Sequence, residues 1–256
     1  MINYWLKLWS INTDLFKDSI KSIQNWYFDF IELYIVPEVF NKDKFEILKN
    51  SKIKIAFHLP HSTHNFNPID KKNDSEKIWD LVTEYINYLD PFQIVMHPEF
   101  WSDINVLKKR LSYFNNSKII IENMPMKSSI WVYKNLKFYW YNISQINNIK
   151  TISNKFCFDF AKAKSSAISQ EIDIISFSNK LVEIMNPSYY HISWFLKNTE
   201  VDEHYDLWEW DKKLMLFMKN KLIKISNKNT INIVFECKKK NWIKNDLKNL
   251  EYFKKL

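Results

Sequence analysis

The sequence predicts an α/β protein built as a single (β/α)8 TIM barrel, and three observations carry that reading. Short apolar runs rich in Ile, Val and Phe alternate with amphipathic helical stretches from one end of the chain to the other, the pattern of βα units around a parallel sheet. The 256 residues match the roughly 250 of one such barrel. Histidines and carboxylates recur at the ends of the apolar runs, where a closed barrel would gather them on its C-terminal rim.

Taken in order, strands are predicted over residues 4–8, 30–35, 53–57, 93–96, 118–122, 156–159, 189–193 and 231–235. The first helix spans 14–24, with Leu15, Ile20 and Ile23 on one face. The next spans 75–88, with Ile78, Leu81, Val82 and Ile86 at helical spacing. Further helices are predicted over 102–113, 170–184, 212–225 and 246–253. Asp14 and the pair Asp74 and Ser75 read as N-caps, since their side-chain oxygens can accept from the first free backbone N–H groups. With no linker-like or low-complexity stretch, residues 1–256 form one domain.

Composition narrows the function classes. The chain is 46% hydrophobic and 26% charged, ordinary for a globular protein. No apolar stretch approaches the roughly 18 residues of a membrane span. The chain enters directly on a strand with no signal-like segment, so a cytoplasmic protein is expected. Cys157 and Cys237 are too few for a disulfide framework and read as buried free thiols. The net charge of +8 is weak evidence for nucleic acid, because Arg110 is the only arginine and lysine abundance follows from an AT-rich gene.

The chain has no glycine and 11 tryptophans. Turns and helix C-caps need residues at positive φ, where glycine carries no Cβ penalty. Tryptophans stand in such places: Trp26 after the first helix, Trp208 and Trp210 on either side of Glu209, Trp242 before the last helix. The hypothesis is that these codons mean glycine in the source.

The candidate site residues lie at the strand ends. His58, His61 and His64 follow the third strand, His97 the fourth, and His191 lies in the seventh, with His204 closing the loop after it. Glu122, Asp159 and Glu236 end the fifth, sixth and eighth. One buried histidine is usually a satisfied polar group; an ordered set on successive strands points to a metalloenzyme.

The motifs Glu32 in Phe-Ile-Glu-Leu-Tyr, His58-Leu-Pro-His61, Met96-His-Pro98, Glu122-Asn-Met-Pro125, Phe158-Asp-Phe-Ala161, His191-Ile-Ser193, Asp202-Glu-His204 and Phe235-Glu236 together resemble the xylose isomerase-like TIM barrels. This group, also called the AP endonuclease family 2 superfamily, includes endonuclease IV and many sugar phosphate isomerases and epimerases. The resemblance covers the whole chain. It implies metal ligands at His61, His97, Glu122, Asp159, His191, Asp202, His204 and Glu236, with Lys162 where endonuclease-like members carry a further histidine. A third ion beside Asp202 and His204 is therefore in question. The isomerases' one-ion tetrad maps onto Glu122, Asp159, His191 and Glu236. The implied cofactor is a divalent metal, Zn or Mn, since imidazole favours transition metals over Mg²⁺ or Ca²⁺. Both family glycines in the loop after the seventh strand read Trp208 and Trp210, and Glu99 stands where a glycine is usual.

Two activities follow from the resemblance. The tetrad suits a sugar or sugar-phosphate isomerase or epimerase in which Glu122 and Glu236 move a proton between adjacent carbons. The alternative is an endonuclease IV-like phosphodiesterase with a multinuclear zinc site and DNA as substrate. The loop after His61 holds only Phe66 as a DNA wedge, and the first strand lacks the endonucleases' histidine, so a small carbohydrate is favoured. Glu32 is a substrate contact or a structural carboxylate, and His58 and His64 stand outside the mapped ligands.

Overall fold

Eight parallel strands close on themselves in chain order: β1 (Ile2–Trp9), β2 (Phe30–Tyr34), β3 (Ile55–His58), β4 (Gln93–Met96), β5 (Ile119–Glu122), β6 (Phe156–Asp159), β7 (Tyr189–Ile192) and β8 (Ile231–Phe235). β8 pairs back onto β1, with Ile2 opposite Ile231 and Trp5 opposite Val234, so the barrel has no open edge. A computed structural model describes residues 1–37, 41–68, 73–100, 104–112, 118–127, 137–138, 140–193, 204–209, 212–237 and 243–256.

The period-2 alternation of a strand sends every other residue into the barrel. Trp5, Ala56, Val95, Ile120, Cys157, Tyr189 and Val234 form a plug there, with Phe30 packed against it. Trp5 packs against Phe30, Phe92 and Tyr189 at ring separations of 4.8, 5.1 and 5.0 Å. The other face of the strands packs outward under the helices, where Leu6, Leu8, Ile31, Leu33, Phe57, Phe158 and Ile233 join the main core.

Among the described residues the helices are α1 (Phe16–Gln24), α2 (Lys42–Ser51), α3 (Asn73–Leu89), α4 (Ile104–Ser112), α5 (Ile143–Ile149), α6 (Phe160–Ser169), α7 (Ile174–Met185), α8 (Lys212–Ser226) and α9 (Ile243–Lys255). Three of them, α2, α5 and α6, are absent from the sequence expectation. α2 is short and mostly exposed, burying only Phe45 and Leu48, so its periodicity is faint; Asn41 caps it by accepting from Asp43 and Lys44. α6 is buried almost throughout and so shows no amphipathic pattern. The expected helix over 14–24 starts instead at Phe16, after a 3-10 turn (Thr13–Leu15), without a side-chain cap. The expected 170–184 helix begins only at Ile174, where Asp173 accepts from Ser176 N at 2.8 Å. α3 begins at Asn73, so Asp74 and Ser75 lie inside it. No described helix is long and apolar enough to cross a membrane.

Trp5 and Trp79 are core residues. Trp26 and Trp140 adopt positive φ, 61° and 72°; Trp26 is 88% exposed, whereas the Trp140 side chain is buried in the main core. Trp208 lies in a 3-10 turn (Leu207–Glu209) without positive φ, under the Lys248 ammonium at 4.0 Å. Trp210 and Trp242 lie outside the described residues.

Candidate functional site

Two residues beyond each plug position, the strands present a second inward ring. Lys7 follows Trp5, Glu32 follows Phe30, His58 follows Ala56 and His97 follows Val95. Glu122 follows Ile120, Asp159 follows Cys157, His191 follows Tyr189 and Glu236 follows Val234. All eight side chains are buried. Four carboxylates, three imidazoles and an ammonium thus share one layer at the C-terminal end of the barrel, the end at which TIM-barrel enzymes place their sites.

His191 is the hub. Its Nδ1 lies 2.8 Å from Glu122 Oε1 and 3.0 Å from Glu236 Oε1, and its Nε2 lies 2.9 Å from Glu32 Oε2. Burial opposes charge on this ring, but Glu236, Glu32 and Glu122 outweigh it and push its pKa well above the ordinary value. Glu32 also accepts from Tyr189 Oη at 2.6 Å. Burial alone would raise Glu32; the charges of His191 and Lys7 hold its carboxyl down at about 2. A carboxylate behind a histidine fixes the ring and its tautomer, the arrangement that orients metal-binding histidines.

Glu122 sits between two halves of the site. Oε1 faces His191 and accepts from Lys162 Nζ at 2.7 Å, while Oε2 lies 2.6 Å from His97 Nε2 and 3.4 Å from His58 Nε2. Burial raises its pKa, and Lys162, His191 and His97 together drive it well below the usual carboxylate range. Asp159 ends β6 and caps α6, its Oδ1 accepting from Lys162 N at 2.9 Å. Asn123 aligns the two strand ends: its Oδ1 accepts from Asp159 N at 2.7 Å and its Nδ2 donates to Asp159 O at 3.0 Å. Glu236 bonds to the Lys7 ammonium and shares His191. The carboxylates Glu236 and Glu32 keep Lys7 protonated against the opposing effect of burial.

The histidines on the β3 and β4 side differ in state. His58 Nδ1 lies 2.9 Å from Leu59 O, an acceptor, so Nδ1 carries the proton and Nε2 turns inward. Burial and the Lys7 charge hold this ring down at about 4, hence neutral. His97 lies between carboxylates, with Nδ1 3.3 Å from Glu99 Oε1. Burial and Lys162 oppose its protonation, but Glu122 and Glu99 prevail and raise its pKa. Glu99 meets His97 from a left-handed backbone, φ 55°, at the position where the resemblance expects glycine. His61 stacks on His97 at 5.6 Å and 13°, and burial with the His97 charge lowers its pKa well below the ordinary value. His64 lies farther out, 5.8 Å from the Tyr34 ring. His204 is at the rim with a side chain 41% exposed, and its Nδ1 donates to Glu236 O at 2.9 Å. Asp202 lies outside the described residues.

The chemistry of the donors decides which ions the site suits. Ligand atoms of Glu122, Asp159, His191 and Glu236 all lie within 4.8 Å of one another. Three carboxylates and one imidazole, the latter fixed from behind by Glu32, fit one divalent ion. A second group, His58, His97 and Glu122, also converges within 4.8 Å. There the Lys162 ammonium already lies 3.0 Å from His97 Nε2. Of the residues read from sequence, the structure therefore brings His97, Glu122, Asp159, His191 and Glu236 into this layer, with His61 stacked beside it and His204 at its rim. Sequence reasoning missed Lys7, placed His58 outside the metal ligands, and read Glu32 as a substrate contact or a structural carboxylate. The signal available was position: each stands two residues after a plug residue on its strand.

No family model matches the sequence, and no curated protein matches it. Solved structures do resemble it. Endonuclease IV from Thermus thermophilus aligns with a TM-score of 0.69 at 12% identity, over 99% of this chain and 98% of that one. An AP endonuclease, family 2, from Brucella melitensis aligns at 0.58 and 14% identity, over 100% and 99%. D-psicose 3-epimerase, crystallised in the presence of D-fructose, aligns at 0.55 and 11% identity, over 96% and 89%. In its strand order and over nearly its whole length, the chain shares the closed (β/α)8 barrel fold of these solved structures.

Proposed function

We propose that this chain is a metal-dependent isomerase or epimerase acting on a sugar or sugar phosphate. The observation that supports it most is the convergence of Glu122, Asp159, His191 and Glu236, with Glu122 and Glu236 on either side of His191 Nδ1. The tetrad would hold one divalent ion, zinc or manganese given its imidazole, and the bound ion would polarise a ketose carbonyl and its neighbouring hydroxyl. Glu122 and Glu236 do the proton work. One carboxylate removes the proton from the carbon beside the carbonyl, taking up H⁺ as the C–H bond breaks. Return of that proton to the former carbonyl carbon, with the hydroxyl proton passing from one oxygen to the other, gives the isomer; return of a proton from the opposite carboxylate to the other face of the original carbon gives the epimer. Both carboxylates are held ionised, because nearby cations overcome the effect of burial. Asn123 and Glu32 hold the ligands in place from behind. Trp9, half-exposed at the end of β1 and 5.7 Å from the buried Tyr34 ring, offers an aromatic face to a sugar ring.

One observation favours a second reading, phosphodiester hydrolysis on DNA: the convergence of His58, His97 and Glu122 beside the tetrad. Two ions there would clamp a phosphodiester. The two readings separate in one experiment. Protein loaded with zinc or manganese is incubated in D2O with a panel of ketoses and ketose phosphates and followed by NMR, alongside cleavage of an abasic-site duplex. Deuterium entering the carbon beside the carbonyl is the expected result, with Glu122→Gln and Glu236→Gln each reducing it about a hundredfold or more. Duplex cleavage without any exchange would overturn the isomerase reading.

A further inference from the structure

We infer that Lys162 is a built-in cation that stands in for a second metal ion, so that the centre holds a single ion and the β3–β4 side of Glu122 carries a fixed positive charge. This rests on the tetrad reading and adds a positioning role that the tetrad does not require. Lys162 belongs to the first turn of α6, whose cap is Asp159. Helical side chains lean toward the helix N-terminus, so its stem runs back over the barrel mouth. Its buried ammonium lies 2.7 Å from Glu122 Oε1, 3.0 Å from His97 Nε2 and 3.5 Å from Asp159 Oδ2. Of these contacts His97 belongs to the second group alone, while Glu122, shared by both groups, is met through Oε1, the oxygen that also faces His191, and Asp159 belongs to the tetrad.

The neighbours agree with an occupied position. His97 Nε2 faces both Glu122 Oε2 and the Lys162 ammonium, and its Nδ1 lies 3.3 Å from Glu99 Oε1. His61 stacks flat on His97 and stands outside the groups of converging donor atoms found among the described residues, and the Lys162 charge reaches it. A divalent ion on His58, His97 and Glu122 would have one carboxylate to offset both its own charge and that of the ammonium beside His97, whereas the tetrad has three. With the ammonium in place, Glu122 is held at a set angle toward His191 by one cation of fixed position.

The test is metal stoichiometry. Wild-type protein and Lys162→His, Lys162→Met and Lys162→Arg are saturated with zinc, desalted and measured by elemental analysis, with thermal unfolding of each as a check on folding. Wild type and Lys162→Arg are expected to retain about one ion per chain, and Lys162→His about two, on the rule that a zinc site needs three or four protein ligands. Lys162→Met, neutral and of similar length, is expected to exceed wild type. Two ions in wild type, or one ion in both folded His and Met variants, would overturn the role of Lys162. Glu236→Gln serves as the control on the tetrad, and is expected to lose the single ion. If wild type holds no zinc at all, the tetrad reading itself fails, and the inference with it.

Discussion

At the scale of single residues, Glu32 shows how one carboxylate serves two ends. It is fully buried, accepts from Tyr189 Oη, and faces both His191 Nε2 and the Lys7 ammonium. It thus fixes which nitrogen of His191 looks into the tetrad. Replacing it with Gln is expected to weaken zinc binding about 10- to 100-fold, as loss of such orienting groups does elsewhere, which a competitive chelator titration measures. The pH dependence has a definite sign. The folded pKa, held at about 2, lies below the ordinary 4.5. The contribution of Glu32 to stability is present above the higher value and is lost as pH falls toward the lower one. Urea unfolding across that acid range is therefore expected to show a shallower loss of stability for Glu32→Gln than for wild type. An unchanged slope would show that Glu32 is not held low.

At the scale of elements, the end of α1 shows what the missing glycine costs. Tyr27 N donates to Ser22 O at 3.0 Å and Trp26 N donates to Ile23 O at 2.9 Å, the paired bonds of a Schellman C-cap. The residue between them must be left-handed, and it is Trp26, at φ 61° with its indole in solvent. A Cβ in this conformation costs roughly 1–2 kcal/mol. Trp26→Gly is expected to stabilise the protein by about 1 kcal/mol, net of the extra freedom glycine gains when unfolded, raising Tm by about 2 °C. A fall in Tm would mean that the indole contributes packing its exposure conceals. Trp26 has the backbone and exposure that the recoding idea expects and Trp140 the backbone alone, while Trp5 in the barrel plug and Trp79 in the core are aromatic positions that glycine would leave as cavities. Mass spectrometry of the native peptide carrying Trp26 reads the residue directly.

At the scale of the whole molecule, Lys7 ties barrel closure to the site. It lies on β1, opposite Glu32 in the β1–β2 register, and its ammonium bonds to Glu236 at the end of β8. The strands that close the barrel thus carry an ion pair across their seam. Lys7→Met is expected to destabilise the fold by about 3–5 kcal/mol, because Glu236 loses its buried counter-charge. The double variant Lys7→Met, Glu236→Gln is expected to recover part of that loss, since neither charge is then left alone. Chemical denaturation of the single and double variants checks this, and additive losses would dissolve the pair.

The sequence alone determined the strands and, through them, the fold. β4, β6 and β8 begin and end where the apolar runs do, and the side chains at their ends or just after, His97, Asp159 and Glu236, fall in the buried ring. Strand pattern is a local property: period-2 burial and β-branched residues are visible in a few consecutive positions. What only the tertiary structure decided is which side chains face the barrel axis. A lysine within a strand, such as Lys7, reads locally as a solvated outward residue; only closure against β8 turns it inward. His58 and His61 are indistinguishable as histidines after one strand, yet the two-residue step from Ala56 aims His58 at Glu122, while His61, three positions on, leaves the strand and stacks beyond His97. Lys162 was legible as a departure at a ligand position. That its ammonium would lie between Glu122 and His97 depends on α6 starting at its Asp159 cap, so that its first turn overhangs the strand ends, and on β4, β5 and β6 lying side by side.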